Sequence, residues 1–354
     1  MSDIDAMPPM PLDGLPVGAA DGLPSGAPRA RAEGLADSSV ARQLAQLDRT
    51  ESALVLASGM AAVACTMVSL LRPGDHLLAS RWLRPETRRF FEHELPALGV
   101  QVSFVDPTET RGWRRALSRT TRLVYLESPV DPTTRVVDMR PVRTLAQELG
   151  IALVVDATLA SPINFRPVEH GADVVLHAAS VFLDGHGHGF AGVVCGSEAV
   201  VDEVRVKMRS WGAEPHPAAV AQLARGLKTL GVRVAKQNAT AMAVAQWVAS
   251  QSTPDGAVRA VSYPGLAAHQ DHVVATECLS GYGNLIALAL RGGEIAVGEL
   301  LGRLQHFRVR DAESAARLGG VESVASAFAD GSVRLNIGLD DAPVLIGDLT
   351  QALE

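Results

Sequence analysis

The chain has 354 residues, of which 47% are hydrophobic and 20% charged, with a formal net charge of -7. That length allows about two domains with a sizeable core, the composition excludes a mainly disordered chain, and the acidic balance leaves no basic footprint for nucleic acid. Three cysteines without close pairing, Cys65, Cys195 and Cys278, exclude a disulfide framework and a cysteine-based zinc site.

Residues 1–28 are rich in Pro, Gly and Ala and carry no helical or strand period, so they read as a flexible arm. Residues 29–250 then read as a large α/β domain and 251–354 as a smaller α+β domain. Val40, Leu44 and Leu47 recur at helical spacing. Residues 52–57 read as a short buried segment. Ser58, Gly59 and Met60 then open an apolar helix running to about Leu71, where Pro73, Gly74 and Asp75 stop it. Apolar strand-like runs follow at 76–80, 102–106, 123–127, 152–156, 173–177 and 192–196, several alternating with helical stretches such as 138–149. Such alternation predicts a mostly parallel sheet covered on both faces. The pattern is helical from 197 to about 250. Beyond 256, AVRAVSY, NLIALAL and SVRLNIGL read as strands, with helices near 295–304 and 342–353. No apolar run approaches the ~18 residues of a membrane span, and the N-terminus shows no basic region followed by an apolar stretch. The expected location is cytoplasmic, without membrane contact.

Four places carry candidate chemistry. Ser58, Gly59 and Met60 are small or flexible residues between a buried segment and a helix, where outward N–H groups and the helix dipole favour an anion such as phosphate. Asp156 ends the run ALVVD. A carboxylate at the carboxyl end of a parallel strand either holds a cationic ring nitrogen, a ribose or a metal, or caps the next helix. The segment from His177 to Gly189, with Ser180, Asp184, His186 and His188, is rich in Gly and His and reads as a glycine-shaped loop near a ligand. A metal held by His186 and His188 with His177 or Asp184 is the lesser alternative. Arg334, between apolar neighbours, either clamps a carboxylate with two parallel hydrogen bonds or lies on an edge strand or surface. Arg84, Arg88 and Arg89 read as a solvated helix face, Cys65 as helix core, and His216 as a turn residue.

Lysine occurs only at 207, 228 and 236, so chemistry that needs a lysine amine in the first 206 residues is excluded. This count matters because the chain resembles the Cys/Met-metabolism family of pyridoxal-phosphate (PLP) enzymes, which includes cystathionine γ-synthase, cystathionine lyases and methionine γ-lyase. The resemblance runs from about residue 40 to the C-terminus. It rests on ALVLASGMAA (53–62), RPGDHLLAS (72–80), LVYLESPVDPTTRVVD (123–138), ALVVDATLASP (152–162), GADVVLHAASVFLDGH (171–186), GLKTLGVR (226–233), YPGL (263–266), SGYG (280–283), LGGVES (318–323) and VRLNIGLDD (333–341). It implies the fold type I PLP-enzyme architecture, an α/β fold with a mostly parallel sheet and a smaller C-terminal α+β domain. It also implies a tetramer of dimers that share active sites.

Carried over by that resemblance, Ser58, Gly59 and Met60 match the cradle for the cofactor phosphate. Asp156 matches the carboxylate that pairs with the pyridinium nitrogen. Ser180 matches the hydroxyl residue before the catalytic lysine, and Arg334 the arginine that holds the substrate carboxylate. Arg31 matches the arginine that the family's arm sends to a neighbour's phosphate site. Other family residues are replaced. Val181 stands where the family has its Schiff-base lysine, and Ala178 where it has a phosphate-binding serine. Arg84 stands for the ring-stacking tyrosine, Arg29 for the arm tyrosine, Asp131 for an asparagine before proline, and Arg317 for the serine before LGG. The family's lysine serves as nucleophile and as base, and valine can do neither.

Three functions are therefore open. The first is an enzyme of altered chemistry that takes a small substrate with a carboxylate, bound by Arg334 and Arg84. It would use His186, His188 or Asp131 for acid–base work and run an elimination, addition or cyclisation in specialised metabolism. No covalent cofactor is expected, with PLP or pyridoxamine phosphate (PMP) held non-covalently or absent, and no metal. The second is a non-catalytic subunit, which would form a hetero-oligomer with a lysine-bearing homologue rather than a homo-oligomer. The third is an ordinary PLP-dependent C–S lyase or synthase, which would need one of the three lysines to reach the cofactor.

Overall fold

The computed structural model describes residues 39–187, 190–310, 319–328 and 331–354. A helix over 39–48 leads into a seven-stranded sheet. Its strands are β1 (Ser52–Leu56), β2 (His76–Ser80), β3 (Gln101–Val105), β4 (Thr121–Glu127), β5 (Ala152–Asp156), β6 (Val174–Ala178) and β7 (Gly192–Gly196). Their order is β1-β7-β6-β5-β4-β2-β3. β7 runs antiparallel to both its neighbours, and every other pairing is parallel.

Strand runs such as HLLAS and GVVCG are buried along their whole length, as a sheet covered on both faces requires. Side chains alternate between two cores. Leu54, Leu77, Tyr125, Val154 and Val194 pack with Val63 and Met67 of the helix Gly59–Leu70 and with Val201 and Val204 of the helix Glu198–Ser210. Val55, Leu78, Val124, Val155 and Val193 pack on the other face with Leu44 and with Val142 and Leu145 of the helix Met139–Leu149. Each such side chain contributes about 1.5–3 kcal/mol on burial. The helix Met139–Leu149 starts where Asp138 accepts from the N–H of Arg140 and stops at Gly150, which has a φ of 61°, a left-handed conformation that glycine adopts without strain.

The sheet has one reversal of winding direction. β2 connects outward to β3, whereas β4 connects the opposite way to β5 and β6. The carboxyl ends of β2 and β4 flank this point, where open parallel sheets take ligands.

A second sheet contains β8 (Val258–Ser262), β9 (Leu285–Leu290), β10 (Arg308–Val309), β11 (Val324–Ala327) and β12 (Ser332–Asn336), in the order β10-β11-β12-β9-β8. Ile286, Leu288, Val333 and Leu335 pack with Val244 and Val248 of the helix Leu230–Ser250 and with Leu345 and Leu349 of the helix Ala342–Leu353. The other end of that long helix, at Leu230 and Val234, belongs to the first sheet's core. One continuous helix thus supports both sheets. Among the described residues beyond 256, two strands and one helix lie outside the expectation. β10 is a two-residue exposed strand, β11 is mostly small residues, and the helix His272–Cys278 is short. None presents the period that marks the longer elements.

Candidate functional site

β4 and β5 end side by side, with Glu127 and Asp156 in register. Asp156 is 8% exposed. Its Oδ1 accepts from the N–H of Thr158 at 2.9 Å and from the Thr158 hydroxyl at 2.5 Å. That hydroxyl accepts in turn from the N–H of Ala178 at 2.8 Å, which ties the ends of β5 and β6 together. Asp156 caps no helix, because the next one begins at Ser161. The carboxylate forms a local turn instead.

Glu127, which the sequence reading did not single out, is 3% exposed. Its Oε2 accepts from the N–H of Arg84 at 3.0 Å, while its buried Oε1 has no hydrogen-bond partner. Burial and the neighbouring Asp156 raise Glu127 to about 8, against the pull of Arg84. The available signal was the run LVYLE, which ends on a carboxylate as ALVVD does.

Arg84 departs from the expected solvated helix face. It precedes the helix Pro85–Arg89, and its side chain is 22% exposed. Burial disfavours its charge, but Glu127, Asp131 and Asp156 outweigh burial and hold the guanidinium firmly protonated. The field of these three carboxyl groups reaches the Arg84 guanidinium, whose ion pair is with Glu86 at 3.9 Å. Arg88, by contrast, pairs with Glu92 at the surface and Arg89 is exposed, as expected.

Arg334 is neither an edge nor a surface residue. It lies on β12 between β11 and β9 and is 3% exposed. Its guanidinium stacks over Phe328 at 4.7 Å. One nitrogen stands 2.7 Å from each carboxylate oxygen of Asp131.

The proposed phosphate side is shaped by close approaches. Ser58 caps the helix Gly59–Leu70, its hydroxyl accepting from the N–H of Ala61 at 3.0 Å. A Cβ added to Gly59 would lie 2.8 Å from the Cβ of Ala178, and one added to Gly192 would lie 2.0 Å from the Ser58 carbonyl oxygen. Only glycine fits at either place. The Met60 sulfur accepts a long contact from the Thr87 hydroxyl at 4.0 Å, so the helix start and the Arg84 segment meet.

The loop after β6 carries a half-buried Ser180 and a Val181 that is 1% exposed. Arg233, also unanticipated, is 4% exposed and donates to the carbonyls of Phe182 at 2.9 Å and Leu183 at 3.4 Å. It fixes this loop to the long helix. His186 is exposed, its N–H donating to Asp184 at 3.1 Å. Arg31 and His188 lie outside the described residues.

The expected metal alternative through His177 fails on geometry. His177 points into the core, where Nε2 meets Asp48 at 2.9 Å and both side chains are at most 1% exposed. Among the described residues no group of three His, Cys, Asp or Glu is arranged to hold a metal. His216 is a helix cap rather than a plain turn, its Nδ1 accepting from the N–H of Ala218.

The structure thus brings Arg84 and Asp156 to Glu127 and Arg334 to Asp131, with the field of Asp131 also reaching Arg84, and links the Ser58–Met60 turn to Asp156 through Ala178 and Thr158. It leaves the three lysines elsewhere. Lys207 is on the helix Glu198–Ser210, Lys228 is exposed at the end of the helix Pro217–Leu227, and Lys236 is bonded to Asp341.

The family described as Cys/Met metabolism PLP-dependent enzyme matches residues 25–354. The L-methionine gamma-lyase of Pseudomonas putida is 36% identical over 334 residues, covering 88% of this chain and 81% of that protein. Cystathionine gamma-synthase 1, chloroplastic, of Nicotiana tabacum is 31% identical over 331 residues, covering 88% of this chain and 60% of that protein. The O-succinylhomoserine sulfhydrylase of Pseudomonas aeruginosa is 29% identical over 324 residues, covering 88% and 79%.

Proposed function

This chain belongs to the Cys/Met metabolism family of PLP-dependent enzymes, and on that premise we propose that it is a divergent member acting on a small amino-acid-like or carboxylate substrate without a lysine bond to the cofactor. The reaction class is an elimination, an addition or a cyclisation. One observation carries the reading. The buried residue after Ser180 is Val181, in a chain with no lysine before position 207.

The residues present suit non-covalent binding and not covalent attachment. The tight start of the helix at Ser58, Gly59 and Met60 would hold the phosphate. Asp156, with both hydrogen bonds of its turn on Oδ1, would hold the ring nitrogen. PLP, when bound, supplies an electron sink for charge developing at the α-carbon of an amino acid. Arg233 keeps the loop after β6 in place, and the buried Val181 and Phe182 keep that wall dry. Arg84 and Arg334 orient the substrate carboxylate. Protons pass to and from substrate at His186, the exposed imidazole of that loop, since the Asp131 carboxylate is committed to Arg334. His188 and Arg31 keep the roles expected from the sequence, in the loop and in a neighbour's phosphate site.

That same commitment supports a second reading. A subunit whose arginine is internally paired suits a non-catalytic partner that completes the site of a lysine-bearing homologue.

The test is the near-ultraviolet and visible spectrum of the purified protein before and after adding PLP and dialysing. The expected result is a retained chromophore that borohydride does not fix to the chain. Covalent fixation would overturn the proposal and restore an ordinary PLP-dependent lyase or synthase. A protein that retains no chromophore but co-purifies with a homologue would favour the second reading.

A further inference from the structure

Arg334 already holds a carboxylate, and that carboxylate belongs to the chain. Asp131 lies 203 residues away in sequence, in the turn after β4. Its two oxygens share one guanidinium nitrogen of Arg334 at 2.7 Å each, with side-chain exposures of 13% and 3%. Stacking on Phe328 fixes the plane of the guanidinium. A paired, stacked, buried arginine is a formed carboxylate site rather than a loose surface charge.

Asp131 also borders open space. A cavity of about 300 Å³ is lined by Asp131 with Arg81, Trp82, Val130, Thr133 and Arg135, among others. Asp131 can therefore be reached by a small molecule from this cavity, with Arg334 behind it rather than in the cavity wall. A second cation stands nearby, because Asp131 is among the carboxylates whose field acts on Arg84.

We propose that Asp131 is an internal occupant of the Arg334 carboxylate site, which a ligand carboxylate enters only by displacing Asp131 towards Arg84, so that Asp131 sets the site's selectivity against simple carboxylates. This rests on the reading that the site takes small carboxylate ligands, and it adds the residue that controls their entry. The physical basis is competition for one guanidinium. A ligand carboxylate replaces a bond of the same kind, so it gains little from Arg334 and bears the association cost alone. The displaced Asp131 is also driven towards Asp156, where like charge opposes it. A ligand without a carboxylate at that position meets neither cost.

The experiment measures binding of L-norleucine and of its amide, which lacks the carboxylate, by equilibrium dialysis. The proteins are the unaltered chain, Asp131→Asn, Arg334→Gln and the double variant. Asp131→Asn is expected to bind norleucine about tenfold tighter or better, with no such gain for the amide and none in the double variant. Arg334→Gln alone is expected to bind norleucine no better than the unaltered chain, because it leaves the Asp131 carboxylate unpaired where the ligand carboxylate would sit. The double variant carries no buried charge at this place, so it controls for folding. A gain for norleucine that persists in the double variant would overturn the proposal, because it would not come from freeing Arg334. So would an Asp131→Asn protein that folds but shows no gain. These readouts are independent of PLP retention, so failure here leaves the cofactor reading standing, and failure there leaves this one standing.

Discussion

The buried pair beneath the site gives a prediction whose size and pH dependence both follow from geometry. Asp48 and His177 are 0% and 1% exposed and meet at 2.9 Å. His177 precedes Ala178, which Gly59 touches and Thr158 holds, so the pair anchors the strand end on which the site is built. Asp48→Asn keeps the size and an acceptor but removes the charge. Breaking a buried ion pair from one side costs about 3–5 kcal/mol, a third or more of a typical domain's ~5–15 kcal/mol. Burial alone would push His177 down, but the charge and hydrogen bond of Asp48 outweigh it and raise the imidazole above its ordinary value. A raised folded-state pKa contributes stability that is complete below about 6.5, the unfolded value, and is lost as pH climbs through the folded value. In Asp48→Asn the two largest raising causes are gone and burial faces only Asp156 and a backbone hydrogen bond with Ala157, so the slope weakens. Urea unfolding of both proteins at one protein concentration, across several pH values, reads the difference. The gap should be widest near about pH 6 and should narrow as pH rises. A gap below ~1 kcal/mol at that pH, or one that does not narrow, would refute the reasoning.

Gly192→Ala would set a Cβ 2.0 Å from the Ser58 carbonyl. Backbone must move, so PLP retention should fall sharply, by about tenfold or more, while far-ultraviolet circular dichroism stays close to that of the unaltered protein. Asp348→Asn removes charge from a carboxylate that accepts from the N–H groups of Gln305, His306 and Phe307 at 2.8–3.1 Å. Burial raises Asp348, the three backbone donors outweigh it, and the group ends below its ordinary value. Its stabilisation is present above about pH 3.9 and lost as pH falls through the folded value, so acid unfolding curves of the two proteins should converge at low pH after a gap of about 1–3 kcal/mol at neutrality.

Much of the first sheet was legible because its elements announce themselves locally. ALVVD and GVVCG form strands at the bounds their sequences suggest, and the helix over 342–353 likewise matches. Pairing partners were not legible, since a run such as LVYLE looks the same whichever strand lies beside it. The site divides in the same way. The place of Asp156 at a strand end follows from its own run. The burial of Arg334 does not, because it depends on β11 and β9 flanking it and on Asp131 reaching it from the other sheet. Glu127 escaped notice for a related reason. A glutamate ending a strand reads as a surface residue until its neighbour is seen to be another carboxyl group in register. Arg233 was legible only as part of GLKTLGVR, and only the three-dimensional path of the loop after β6 gives its guanidinium carbonyls to bind.

The charges of this site compensate one another, and that has a consequence for how its differences from the wider family arose. A guanidinium as buried as that of Arg334 is costly unless paired. In an enzyme that holds its arginine open, solvent or ligand must supply the partner. Here Asp131 supplies it from within, and Phe328 covers the remaining face. Arg84 does the same for Glu127 and Asp156, which would otherwise set two carboxyl groups side by side at the end of β4 and β5. Simple decay of a ligand site would leave such groups unpaired one at a time, each destabilising the fold. Asp131 and Arg84 instead stabilise the site without a ligand and, by the same bonds, oppose a ligand that needs those cations. Stability and selectivity are therefore fixed by one set of contacts, and a variant that opens Arg334 to carboxylates must also be the less stable protein.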